Sequence, residues 1–139
     1  MNDYLTVLKN YATFTGRARR REYWMFSLIN GIIIILLEVL LMVGGFSMTG
    51  ASADGSVSPI AWVGIALMSV YTLGVLVPSL AVSVRRLHDT GRTGWLYLIT
   101  LIPFVGSLIL LVFLVQDSQP GDNKWGPNPK GAVAVTPAF

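Results

Sequence analysis

Residues 85–95 read RRLHDTGRTGW, and this short polar island decides the fold. Residues 60–84 before it carry no charged side chain, and residues 95–115 carry none either. A charged loop this tight between two long apolar runs reads as a turn at a membrane surface. Thr90-Gly91 and Thr93-Gly94 are turn material. Arg85, Arg86 and Arg92 assign the loop to the cytoplasmic side, where basic residues accumulate.

Outward from the island, residues 60–84 form one apolar run, and 23–46 form another upstream. At about 1.5 Å of rise per residue, each is long enough to cross a hydrocarbon core of about 30 Å. Pro78 falls in the first of these, near its cytoplasmic end, where it removes a backbone donor and kinks a helix. Residues 47–59 between the runs are rich in Gly, Ser and Ala, with Asp54 as the only charge, and read as a flexible periplasmic loop. Ala51-Ser52-Ala53 mimics a signal-cleavage site, but the apolar core before it is too long for a secretory signal.

The third run, residues 95–115, is interrupted by Pro103 and Gly106. One reading is a kinked crossing; the other is a re-entrant hairpin. The crossing is preferred because each half alone is too short to span. An inside N-terminus and three crossings then put the C-terminus in the periplasm.

Upstream, residues 3–14 place Tyr4, Leu5, Val7, Leu8, Tyr11, Ala12 and Phe14 on one helical stripe. Twelve residues do not cross a bilayer. The helix either lies in the interface, which is the preferred reading, or packs on the helix bundle. Next comes GRARRREYW, residues 16–24. Arg17, Arg19, Arg20 and Arg21 can reach phosphates, and Trp24 suits headgroup depth, as does Trp95 at the start of the third run. A nucleic-acid patch also combines arginine with aromatics, but this cluster abuts a span directly, which favours anionic phospholipids.

Composition agrees. Of 139 residues, 53% are hydrophobic and 12% charged, and the mean hydropathy is +0.63; soluble domains carry about 25% charge. Cysteine is absent, which excludes disulfides, thiolate metal sites, iron–sulfur clusters and thiol nucleophiles. Residues 1–130 make a single membrane domain, and 131–139 read as a disordered tail. Within that domain, GDNKWGPNP at 121–129 should form turns.

Two ionisable sets could carry chemistry. Glu38 lies inside the first run, where a carboxylate costs several kcal/mol unless it pairs, protonates or meets water. It shares a helical face with Gly31 and Gly45, and roughly with Ile34 and Met42. Proton or ion handling by an oligomeric transporter or channel is one reading. A structural carboxyl, against a neighbouring helix or near the outer boundary, is the preferred one, since no second intramembrane charge completes a relay. His88 and Asp89, even with Glu22, lack the further ligands a metal site needs. No nucleophile or phosphate loop accompanies them, so acid–base catalysis ranks below a structural network. No cofactor is implied.

Three segments carry a resemblance: FTGRARRREYWMF (residues 14–26), RRLHDTGRTGWLYL (85–98) and GDNKWGPNP. Together they resemble the YhaH/YhaI-like family of small bacterial inner-membrane proteins, whose function is unassigned. The pattern falls on Gly16, Arg17, Arg20, Arg21, Glu22, Tyr23 and Trp24, then on Arg85 to Asp89, Gly91, Arg92, Gly94 and Trp95, and in the tail on Asn123, Gly126, Pro127 and Pro129. It implies a membrane location and supplies no reaction.

The sequence therefore predicts an all-α membrane protein with three transmembrane helices plus an N-terminal interfacial amphipathic helix. It predicts a non-enzymatic inner-membrane role in which Arg17, Arg19, Arg20, Arg21, Trp24, Arg85, Arg86, His88, Asp89, Arg92 and Trp95 meet anionic headgroups or a partner. A homo-oligomer or membrane partner is compatible with this reading; nucleic acid is not expected.

Overall fold

The structure, a computed structural model, describes residues 2–43 and 59–131. The loop expected at 47–58, Gly45 and the tail from 132 onward lie outside the described residues. The described chain is helical: α1 (Asn2–Lys9), α2 (Arg20–Val43), α3 (Pro59–Asp89), a 3-10 helix (Gly94–Leu101) and α4 (Val105–Val115). It divides into two compact units, one of Ser27–Val77 and one of Met1–Phe26 with Pro78–Phe139.

The first unit holds the apolar bodies of α2 and α3. Among the described residues, these two helices are the ones long and apolar enough to cross a membrane. Large side chains such as Ile35, Leu36, Leu40, Val70 and Leu73 are between 59% and 71% exposed. Water penalises such a surface, and lipid does not. The polar contact between the helices is a hydrogen bond from Tyr71 Oη to Asn30 Oδ1 at 2.6 Å. Glu38 is exposed rather than buried against a neighbour, and a Cβ built on Gly31 meets nothing within 4 Å. The small-residue face expected to draw a helix toward Glu38 is therefore not used at Gly31. Glu38 stands five residues before the end of α2, about 27 Å along the helix from Arg20 at about 1.5 Å per residue.

The second unit gathers both chain ends around the C-terminal turns of α3. Helix α1 stops at Lys9, earlier than its apolar stripe suggests; Asn10 still donates to the Thr6 carbonyl through its backbone N–H (3.1 Å) and its side-chain amide (2.8 Å). Its Val7 is fully buried against Ala18, Phe26 and Val82, with Tyr4 and Leu8 packed alongside. This is the packed alternative for α1, while Leu5, Tyr11 and Phe14 remain exposed. Pro78 is accommodated inside the uninterrupted α3.

The third apolar run is not one continuous helix, and a third crossing is not confirmed. The apolar run breaks at Pro103-Phe104 into a 3-10 helix of 8 residues and an α-helix of 11. Phe104 has φ 60° and ψ −63°, and Val105 N–H donates to the Pro103 carbonyl at 2.7 Å. That is a γ-turn in its rarer, strained hand. The two halves pack on each other because residue 106 is glycine: a Cβ there would sit 1.7 Å from the Ile99 carbonyl oxygen. Leu110 and Leu114 of α4 then bury against Leu87 of α3, beside Leu96 and Ile99 of the 3-10 helix. Each half is shorter than a single span requires.

Candidate functional site: a buried arginine–carboxylate knot

Helix α3 ends in a Schellman arrangement. Gly91, at φ 79°, donates to the His88 carbonyl at 3.0 Å, and Arg92 N–H donates to Leu87 at 2.9 Å. A left-handed residue is needed there, and glycine takes that shape without steric cost. The turn fixes the direction of the last helical residue, Asp89, which is fully buried.

Asp89 is the hub. Its Oδ1 accepts from Arg17 Nε at 3.0 Å. Its Oδ2 accepts from Arg86 Nη1 and from Ser118 Oγ, the latter at 2.6 Å. Its backbone carbonyl accepts from Gln119 N–H at 2.8 Å. One carboxylate thus joins the N-terminal segment, α3 and the tail. Arg17 continues the join, donating to the carbonyls of Gln119 (2.7 Å) and Gly121 (2.8 Å). Arg86, also fully buried, donates through Nε to the Leu114 carbonyl at 3.1 Å and through Nη2 to that of Gln116. Those acceptors lie at the C-terminus of α4, where a helix leaves carbonyls unpaired and favours a cation. The far end of the hairpin is therefore held at the same place as its start.

A second pair lies beside this hub. Arg85 Nη1 donates to Glu22 Oε1 at 3.0 Å, and the Arg85 carbonyl accepts from Ala18 N–H at 3.1 Å. Arg85 Nε and Nη2 are buried without a hydrogen-bond partner. His88 points elsewhere: its Nδ1 is 3.3 Å from the Gly16 carbonyl, and its ring stacks on Trp125 with centroids 4.6 Å apart and planes 11° apart. Trp125 is held there by its own turn. Asn123 and Gly126 exchange backbone hydrogen bonds at 3.0 and 3.1 Å, and the Asn123 amide donates to the His88 carbonyl at 2.9 Å.

The predicted site residues thus divide. Arg17, Glu22, Arg85, Arg86, His88 and Asp89 are buried. Arg19, Arg20 and Arg21 are exposed, and Arg21 pairs with Asp3 at 2.9 Å on the surface. Arg92 lies over the Phe113 ring at 4.1 Å. Trp24 is 39% exposed and Trp95 78% exposed. Arg17, Glu22, Arg85, Arg86 and Asp89 direct polar groups to partners within the protein, and His88 lies at the edge of a groove. Gln119, Gly121 and Trp125 join the site without having been named as site residues, although Gly121 and Trp125 lie in the GDNKWGPNP segment, where the resemblance marked Asn123. Among the described residues, no group of three or more His, Cys, Asp or Glu side chains is placed to hold a metal ion.

Two membrane-length apolar helices, a lipid-compatible surface and a knot of buried ion pairs define a class, the small helical membrane proteins. Within it, residues 11–127 match the family described as "Protein of unknown function (DUF805)", and the chain belongs to that family. Inner membrane protein YhaH of Escherichia coli (strain K12) is 46% identical over 130 residues, which cover 94% of this chain and 98% of the relative. Inner membrane protein YhaI of the same strain is 41% identical over 130 residues, covering 94% and 97%. No solved structure matches the chain.

Proposed function

We propose that this chain is a non-catalytic inner-membrane protein that crosses the bilayer twice and dips its third apolar run into the cytoplasmic leaflet. In this reading α2 and α3 cross, and the hairpin of the 3-10 helix and α4 enters and leaves the same leaflet. The N-terminal segment, the island and the residue 116–131 tail form one cytoplasmic platform. The tail is then cytoplasmic, in place of the periplasmic location that three crossings would give. The observation that carries this is Asp89, which ties Arg17, Arg86, Ser118 and Gln119 to one point.

The platform's exposed arginines are Arg19, Arg20 and Arg21, the last paired with Asp3 at the surface, beside the half-exposed Trp24. We assign anionic headgroup contact to them, where each arginine contributes about 1 kcal/mol near a charged leaflet. Asp89 and Glu22 are engaged by arginines, and His88 turns its ring to Trp125, which supports a structural rather than an acid–base role. Glu38, near the far end of α2, is read as a boundary residue that headgroup water solvates.

The test is electron paramagnetic resonance of spin-labelled phosphatidylglycerol and phosphatidylcholine in proteoliposomes. The native protein should immobilise the anionic lipid preferentially. Arg19→Glu, Arg20→Glu and Arg21→Glu together should abolish the preference. Equal immobilisation of the two lipids by the native protein would remove the headgroup role.

A further inference from the structure

Beside the knot lies a groove of about 540 Å³, within the roughly 300–1,000 Å³ typical of small-molecule sites. Its walls include Phe14, Leu80, Val84, Leu98 and the indoles of Trp95 and Trp125. No lysine, arginine or carboxylate lines it. Lys124 Nζ stands 4.3 Å from the centre of the Trp125 ring but does not line the groove, so a charged headgroup would find no countercharge among the walls themselves, whereas an apolar chain would meet apolar walls.

His88 gives the groove one directed polar atom. The Gly16 carbonyl can only accept, so the Nδ1 facing it at 3.3 Å carries the proton. In the neutral ring Nε2 is then an acceptor, and among the described residues no hydrogen bond reaches it. No carboxylate hydrogen-bonds the ring. Stacking on Trp125 fixes the ring plane. Gly94, another lining residue, keeps the space beside that nitrogen open: a Cβ there would lie 3.4 Å from Nε2. The His88 side chain is largely buried, and its acceptor nitrogen, with no donor from the described residues, opens onto an uncharged apolar groove that suits a ligand with an apolar body and one hydroxyl.

We propose that the groove binds the chain of a neutral lipid with a free hydroxyl head, such as a monoacylglycerol, whose hydroxyl donates to His88 Nε2. The proposal shares the membrane location with the reading above but not the arginine headgroup contact. Reversal of Arg19, Arg20 and Arg21 should leave it intact, so the two fail separately.

The experiment is photocrosslinking of the full chain in nanodiscs. Three probes share one diazirine-bearing acyl chain: a monoacylglycerol, its di-O-methyl ether, and a lysophosphatidylglycerol. The monoacylglycerol should label peptides of residues 80–98 and the segment around Trp125. Losing one hydrogen bond should make the ether about five- to tenfold weaker. His88→Phe, which keeps a flat ring on Trp125, should bring the two neutral probes level. Leu98→Trp, at a half-exposed wall, should lower labelling by both without lowering the unfolding temperature, so the proposal stays testable if His88→Phe fails to fold. Equal labelling by ether and alcohol in the native protein, stronger labelling by the anionic probe, or labelling undiminished in Leu98→Trp would each overturn the proposal.

Discussion

Replacing Asp89 by asparagine probes the knot with almost no change in shape. Asp89 is fully buried and faces the guanidinium groups of Arg17 and Arg86, both of which are nearly or wholly enclosed. An asparagine keeps one acceptor but turns an N–H donor toward an arginine that has only donors. It also leaves two buried cations with no anion between them. Removing one partner of a buried ion pair costs about 3–5 kcal/mol, mainly because the remaining charge stays desolvated. For a chain of this size that corresponds to a fall of about 10–20 °C in the unfolding midpoint. Thermal unfolding in detergent, followed by the fluorescence of the four tryptophans, measures it. Asp3→Asn is the control, because its partner Arg21 is 79% exposed in its side chain; such surface pairs contribute about 0–1 kcal/mol. The loosened tail should also be cut faster by lysine-specific protease after Lys124. A midpoint for Asp89→Asn within about 3 °C of the native protein would refute the reasoning, since no buried pair of this kind could be lost so cheaply.

Three further outcomes follow from the same geometry. Gly106→Val should destabilise the hairpin by about 1–3 kcal/mol through overpacking against the Ile99 carbonyl, seen as a lower midpoint and faster hydrogen exchange over residues 99–115. Arg85→Met alone should cost about 3–5 kcal/mol by stranding Glu22, whereas Arg85→Met with Glu22→Leu should be neutral or stabilising by about 1–4 kcal/mol, read by the same thermal assay. The Asp117 carboxyl is held below its ordinary value of 3.8, first by the hydrogen bond from Lys130 and then by that from the Ser118 N–H. Its stabilising contribution is therefore present above that ordinary value and lost as pH falls through the lowered one. Lys130→Ala should move the Asp117 carboxyl titration, followed by carbon NMR, upward toward 3.8.

How much of this was legible depended on the range of the interactions involved. The two long apolar runs announce α2 and α3 because hydrophobic length is a local property of the sequence. The polar island announces its turn for the same reason, since Thr90-Gly91 carries the helix stop in its own residues. The third run left two readings open: 21 uncharged residues suggest a crossing, while Pro103 and Gly106 suit a kink or a hairpin, and nothing local chooses between them. What turns it back is a tertiary event, the capture of the Leu114 and Gln116 carbonyls by Arg86, some 30 residues away in sequence. The arginines show the same divide. Arg17 and Arg19 are two residues apart in one basic cluster, yet Arg17 is buried on Asp89 and Arg19 is exposed. Charge patterning sees only the cluster. The tail's role was hidden because Gln119 and Gly121 act through backbone carbonyls, which every residue possesses.

The most direct test of the two-crossing account is accessibility labelling of single cysteines at Thr6, Ser52, Thr90 and Ser118 in the cysteine-free background. Sealed vesicles of known orientation and a membrane-impermeant thiol reagent suffice. The account predicts that Thr6→Cys, Thr90→Cys and Ser118→Cys react from one face and Ser52→Cys from the other. Ser118→Cys reacting together with Ser52→Cys would mean that the third run crosses, and the knot at Asp89 could not then exist as described.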